Sequence, residues 1–238
     1  MLKRLTLGAC SALTLLGSPL LARAQDATAP SLQTRDGYLI VTRVDTRKCA
    51  YPLCGGYFVK AVNQALTRCA DGSMQKECHA VQLNTNALGW SGDQRAAFDA
   101  EFAQGHALVR GLLEPAPAGL YTADQLTISE AWQGQGLRNK PLGSFYGVRS
   151  TGIVCITTPC PSLAATKLNV IGPVRNPDLD LSLSGANDKQ IQAAYEALGS
   201  TGILAAGAIV PVRLPALDGG TRQGSKLLAS EFYLPAKP

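Results

Sequence analysis

RVDTRKCAYPLCGGYFVKAVN (residues 43–63) and RSTGIVCITTPCPSLAATKLN (149–169) align at one offset of 106 residues: Arg43 meets Arg149, Cys49 meets Cys155, Cys54 meets Cys160 and Asn63 meets Asn169. A fixed offset that keeps both cysteines in step reads as an internal repeat. The correspondence continues at a smaller offset, as an insertion in the first copy requires, with Leu83 on Leu179 and Ser91-x-x-Gln94 on Asn187-x-x-Gln190. Both tetrads are capping boxes, in which a short polar side chain caps the N3 amide and Gln reaches back. Each opens a brief helical run, 92–104 or 188–198, ending at Gly105 or Gly199, where a left-handed C-cap is expected. Apolar strands follow at 107–115 and 203–211, and then LTISEAW (126–132) against LLASEFY (227–233).

Upstream of each helix, strands are expected at 38–48, 56–62 and 79–84 in the first copy and at 145–155, 162–168 and 177–182 in the second. Three strands, one helix and two strands predict a mainly β fold with one short helix per module. The reading is tandem duplicated OB-like five-stranded barrels, with open β-sandwich modules as the alternative. The boundaries are a signal peptide at 1–24, an N-terminal linker at 25–35, module 1 at 36–135, a Gly-rich linker at 136–143 and module 2 at 144–238.

The signal peptide is read from a cationic start (Lys3, Arg4), an apolar stretch from Leu5 to Leu21 and Ala22-Arg23-Ala24 before Gln25. Its removal leaves 214 residues with a net charge of +2. No other run reaches the roughly 18 apolar residues of a membrane span. Nor does any basic run interleaved with aromatic residues suggest nucleic acid as a partner. The chain is expected to be exported, to the periplasm or outside the cell.

Cys10 falls in the signal peptide, and six cysteines remain. In an oxidising compartment an even count implies disulfides. The second copy holds only Cys155 and Cys160, so they pair with each other unless the modules are cross-linked; equivalence then pairs Cys49 with Cys54 and leaves Cys69 for Cys78.

The string CAYPLCGGYFVKAVN, with RCADG, the LVRG and SEAW strands and the second copy's GIVCITTPCPS, resembles an uncharacterised family of exported bacterial proteins known as a domain of unknown function. The resemblance covers most of the mature chain. It implies export and paired cysteines, and carries over no activity or ligand site.

No reaction is legible. Zinc on Cys49, Cys54, Cys69 and Cys78, with His79 alongside, is opposed by spacings that lack two short knuckles, so neither metal nor cofactor is expected. His79 and His106 are the two histidines, neither present in the other copy, and there is no G-x-S-x-G or H-E-x-x-H. Ser73-x-x-Lys76 sits at a hairpin tip where lysine stays protonated, and Gly219-x4-Gly224-Ser225-Lys226 reverses the order of a phosphate loop. Arg43 with Glu130 and Arg149 with Glu231 recur in both copies and are candidates for an ion pair across each barrel, against the commoner fate of solvated charges.

The recognition candidates are the four-residue loops inside the disulfides, at Tyr51, Pro52 and Leu53 and at Thr157, Thr158 and Pro159. A covalently narrowed loop loses little entropy on binding, although such bridges also serve simply to hold hairpins in register. The leading expectation is therefore a non-enzymatic exported protein that binds a macromolecule or cell-envelope component. An inhibitor of an extracellular protease is the alternative, and an envelope hydrolase the weakest reading.

Overall fold

Both helices begin where the capping boxes place them. The structure is a computed structural model that describes residues 36–137, 140–215 and 219–236; the signal peptide, Cys10 and the N-terminal linker lie outside the described residues. Helix α1 spans Gly92–Ala103 and α2 spans Asp188–Leu198. Ser91 and Asn187 each accept the amide of the N3 glutamine, whose side chain returns to the cap amide. Each helix is preceded by a 3-10 turn closed by a left-handed glycine, Gly89 (φ 64°) or Gly185 (φ 65°). The helix exits differ from each other. Gly105 is left-handed (φ 72°) as expected, but Gly199 stays right-handed (φ −79°) and Gly202 (φ 77°) takes that conformation instead. There the Ala197 carbonyl collects the amides of Ser200 and Gly202, which lengthens the turn.

The first half supplies β1 (Gly37–Val44), β2 (Tyr57–Ala61), the small hairpin β3 (Thr67–Arg68) and β4 (Met74–Gln75), β5 (Cys78–Ala80), β6 (Gln82–Asn84), β7 (Ala107–Ala118) and β8 (Tyr121–Gln135). The second supplies β9 (Ser144–Ser150), β10 (Leu163–Lys167), β11 (Asp178–Asp180), β12 (Ile203–Pro215) and β13 (Thr221–Pro235). The fold is mainly β, with one α-helix in each half. Nine strands lie in the order β10-β9-β12-β13-β8-β7-β1-β2-β5, with β11 added parallel to β13 and β6 parallel to β8.

This departs from the expected pair of separate barrels. The last strand of each half runs past its expected end, and the two ends pair antiparallel, Trp132 to Gln135 against Pro235 to Phe232. One sheet therefore crosses both halves, and it is not closed into a barrel. The third-strand segment breaks at Val81, between β5 on β2 and β6 on β8, where the Val81 amide turns to Asp124 O at 2.8 Å. Register shifts at Gly111 of β7 and Gly207 of β12 bend the two long hairpins. A Cβ there would lie 2.3 Å from Thr127 O or 2.2 Å from Leu228 O, so only glycine fits.

Three apolar clusters hold the sheet. In the first half, Phe98 and Phe102, four apart on α1, pack with Trp90, Val59, Leu126 and Ile128; in the second, Leu198 and Ala194 of α2 pack with Val148, Ile203, Leu227 and Phe232. Burying each phenylalanine is worth roughly 2–3 kcal/mol. The third cluster lies between the halves, with Ile40, Val62, Leu108 and Trp132 against Phe145, Leu168, Leu204 and Tyr233.

The same seam is clasped by two asparagines. Asn63 Nδ2 donates to Phe145 O (2.7 Å) and Leu168 O (2.9 Å), and its Oδ1 accepts from Phe145 N (2.9 Å). Reciprocally, Asn169 Nδ2 donates to Tyr38 O (2.7 Å) and Val62 O (3.0 Å), and its Oδ1 accepts from Tyr38 N (2.8 Å). Each side-chain amide thus serves the other half as a strand edge would. Both residues sit at positive φ (59° and 57°), a conformation asparagine tolerates better than most.

Candidate functional site

The loop closed by the Cys49–Cys54 disulfide (Cα–Cα 5.4 Å) is built around one carboxylate. The Asp45 side chain, 1% exposed, accepts from Arg47 Nε (2.9 Å) and Nη2 (2.8 Å), from the Arg47 amide (3.1 Å) and from the Gly55 amide (3.1 Å). Arg47 Nη2 also donates to Leu53 O at 3.2 Å, so one guanidinium joins the buried acid to the loop's backbone. The hydrogen bonds from Arg47 hold the Asp45 carboxyl far below the usual carboxylate range. His79 Nε2 lies 2.7 Å from Gly55 O and 3.2 Å from Asp45 Oδ2, and its ring stacks on Phe58 (4.9 Å), whose other neighbour is the Arg43 guanidinium at 3.4 Å. Braced from within, the loop turns Tyr51 (56% exposed) and Leu53 (67%) outward and buries Pro52 between them. The Tyr51 hydroxyl donates to Gln82 Oε1 at 3.1 Å.

The loop closed by Cys155–Cys160 (Cα–Cα 5.7 Å) has no such brace; Thr151 stands where Asp45 does, and its hydroxyl donates to Pro161 O at 2.7 Å. The loop leans instead on the β12–β13 hairpin through a hydrogen bond from Thr158 Oγ1 to Pro215 O at 2.5 Å. Thr157, Thr158 and Pro159 are all exposed, and beside them Val154 and Ile156 are 94% and 92% exposed. Sequence reasoning counted Ile156 in the closed loop without singling it out as a contact residue, and read Val154 as the end of the strand expected at 145–155. Both loops carry a cis X-Pro bond, Tyr51-Pro52 and Thr158-Pro159. The third disulfide, Cys69–Cys78 (Cα–Cα 5.3 Å), closes the β3–β4 hairpin onto the first core.

Neither expected ion pair forms. Arg43 pairs with Glu77 at 2.6 Å, and Glu130 pairs with Arg110 at 2.9 Å. Glu231 goes to the seam, where it forms a second constellation with His106, Glu101 and Tyr233. His106 Nδ1 lies 2.8 Å from Glu101 Oε2, while its Nε2 lies 3.4 Å from Glu231 Oε1. Both Glu231 oxygens and the Tyr233 hydroxyl are buried without a hydrogen-bond partner, and a Cβ on Gly134 would touch Glu231 and the His106 ring at 2.6 Å. Burial pushes the Glu231 carboxyl up to about 8, with Tyr233 opposing the shift. Near pH 7 Glu231 is thus a neutral acid. The set is buried at the seam, with His106 also lining the adjoining cleft.

Among the described residues no group of three or more His, Cys, Asp or Glu is placed to hold a metal ion, and no helix is long and apolar enough to cross a membrane. Comparisons with curated proteins and with solved structures give no match. A family profile described as a domain of unknown function, DUF6748, matches residues 38–238. With both halves and all three disulfides inside that match, the chain belongs to the DUF6748 family.

Proposed function

We propose that this is an exported binding protein made of two duplicated OB-like units, 36–135 and 144–238, which recognises a protein partner of the cell envelope through its disulfide-closed loops. The duplication is supported by what recurs in both halves: capping boxes, left-handed glycines before the helices, glycine bulges at Gly111 and Gly207, and the asparagine clasp. The OB-like reading is supported by the pairing order. In the first half β1 meets β2, β2 meets β5, β6 lies parallel to β8, and β8 and β1 flank β7. The second half follows the same order, with the Ala165–Arg175 bridge and β11 in place of β5 and β6. In such a fold the first loop and the last hairpin flank the ligand face, and here Thr158 ties those two elements together. Export is supported by the leader sequence and by three disulfides.

The observation that carries the reading is the exposure of Val154 and Ile156 on either side of Cys155, where the covalently closed loop begins, since large apolar side chains left in water close together mark a contact surface. The protease-inhibitor reading is favoured by one feature of the first loop, the Asp45–Arg47 brace that fixes the Leu53 carbonyl and leaves Tyr51 and Leu53 outward. The test is a cross-linking capture from envelope extract, run beside a panel of extracellular proteases. Ile156→Asp is expected to abolish capture while leaving stability within about 0.5 kcal/mol. Inhibition lost in Tyr51→Ala would establish the second reading instead. Capture unaffected by Ile156→Asp, with no protease inhibited, rejects both.

A further inference from the structure

The seam between the halves carries a cleft of about 430 Å³, within the size range of small-molecule sites. Its apolar wall comes from Ile40 and Val41 of β1 together with Pro141 and Phe145 from the segment that enters the second half. Lys60 of β2 and Lys140 of the linker add two ammonium groups, and no carboxylate lines it among the described residues. The two acids beside it are already engaged: Glu77, which Thr42 contacts, is bound by Arg43, and Glu101 takes His106 Nδ1. Neither lysine is ion-paired among the described residues. The fold has therefore placed two cations and an apolar wall around one concavity, with no carboxylate lining it among the described residues.

We propose that this cleft binds a small organic anion with an apolar body, such as a medium-chain or aromatic carboxylate. The apolar portion lies along Ile40, Val41 and Phe145, and the acid group is neutralised by Lys60 and Lys140. Both lysines are exposed in the free protein, and a charge-assisted contact to either is stronger than a neutral hydrogen bond. One ammonium belongs to the first half and the other to the linker, so ligand binding bridges the seam. The site is separate from the disulfide loops, and the loop variants leave it intact.

The test is isothermal titration of the intact mature protein with octanoate, 1-octanol and inorganic phosphate as probes. Octanoate is expected to bind one to one, with octanol and phosphate each weaker by roughly tenfold or more. The Lys60→Glu, Lys140→Glu double variant should weaken octanoate by roughly ten- to a hundredfold. Thr42→Trp, which fills the cleft mouth, should abolish binding, and Ile156→Asp should leave it unchanged. Circular dichroism confirms that each variant is folded. No saturable octanoate binding, equal affinity for octanol, or binding unaltered by both cleft variants would overturn the proposal.

Discussion

Raising the pH should loosen the seam, through Glu231. Its side chain is 2% exposed, neither oxygen has a hydrogen-bond partner, and burial raises its carboxyl from 4.5 to about 8. The groups facing it are His106, just before β7 and itself paired with Glu101 of α1, and Tyr233 two residues along β13. In the window between those two values the folded chain keeps the proton and the unfolded chain has released it. Stability due to this group is therefore fully present below about pH 4.5 and falls as pH rises toward 8, by about 1.4 kcal/mol per pH unit. Going from pH 6 to pH 8 should remove roughly 2–3 kcal/mol. The assay is urea unfolding at pH 6, 7 and 8 for the wild type and for Glu231→Gln, which keeps the shape and cannot ionise. The glutamine variant should already exceed the wild type by about 2 kcal/mol at pH 6 and by about 4 kcal/mol at pH 8, with most of the pH slope gone. Equal slopes in the two proteins, or wild-type stability that rises over this range, would refute the reasoning.

Other outcomes follow from the same geometry. Asn63→Ala strips three hydrogen bonds from the clasp and should cost about 2–3 kcal/mol in chemical unfolding; Asn63→Gly, which keeps the positive φ but not the amide, should cost nearly as much if the bonds rather than the backbone dominate. Gly134→Ala places a methyl 2.6 Å from Glu231 and His106 and should destabilise by about 1–3 kcal/mol, read as a lower urea midpoint. Asp45→Asn should speed hydrogen exchange at the Gly55 amide, and in the wild type that protection should survive acid well below pH 4, because Arg47 keeps the carboxylate ionised.

Much of this was legible in the chain because it is written locally. A capping box needs only a tetrad, so Ser91 and Asn187 placed both helices, and the presence of only Cys155 and Cys160 in the second half pointed to one set of disulfides. What escaped depended on partners far apart in sequence. SEAW and SEFY look alike, yet Glu130 faces Arg110 across its strand pair while Glu231 faces Ala206, so the second glutamate lacks a cross-strand cation and is left in the seam with His106. The matched Asn63 and Asn169 were visible as letters, but that each amide reaches into the opposite half follows only from tertiary structure. The continuous sheet hinged on three residues beyond the expected end of β8 and two beyond that of β13, where strand boundaries are read least sharply. The loop candidates were found by their cysteines, whereas Asp45, which braces one loop and has no counterpart beneath the other, carries no local signature.

The account turns on the halves being welded into one structure, with the loops displayed from a shared rigid frame. Native-state hydrogen exchange tests this most directly, by comparing the ladder amides of 132–135 and 232–235 with core amides such as those of Val109 and Ala205. Comparable protection across seam and cores, lost together in a single cooperative opening, is the predicted result. Seam amides that exchange orders of magnitude faster than both cores would show two independent domains on a tether and contradict it.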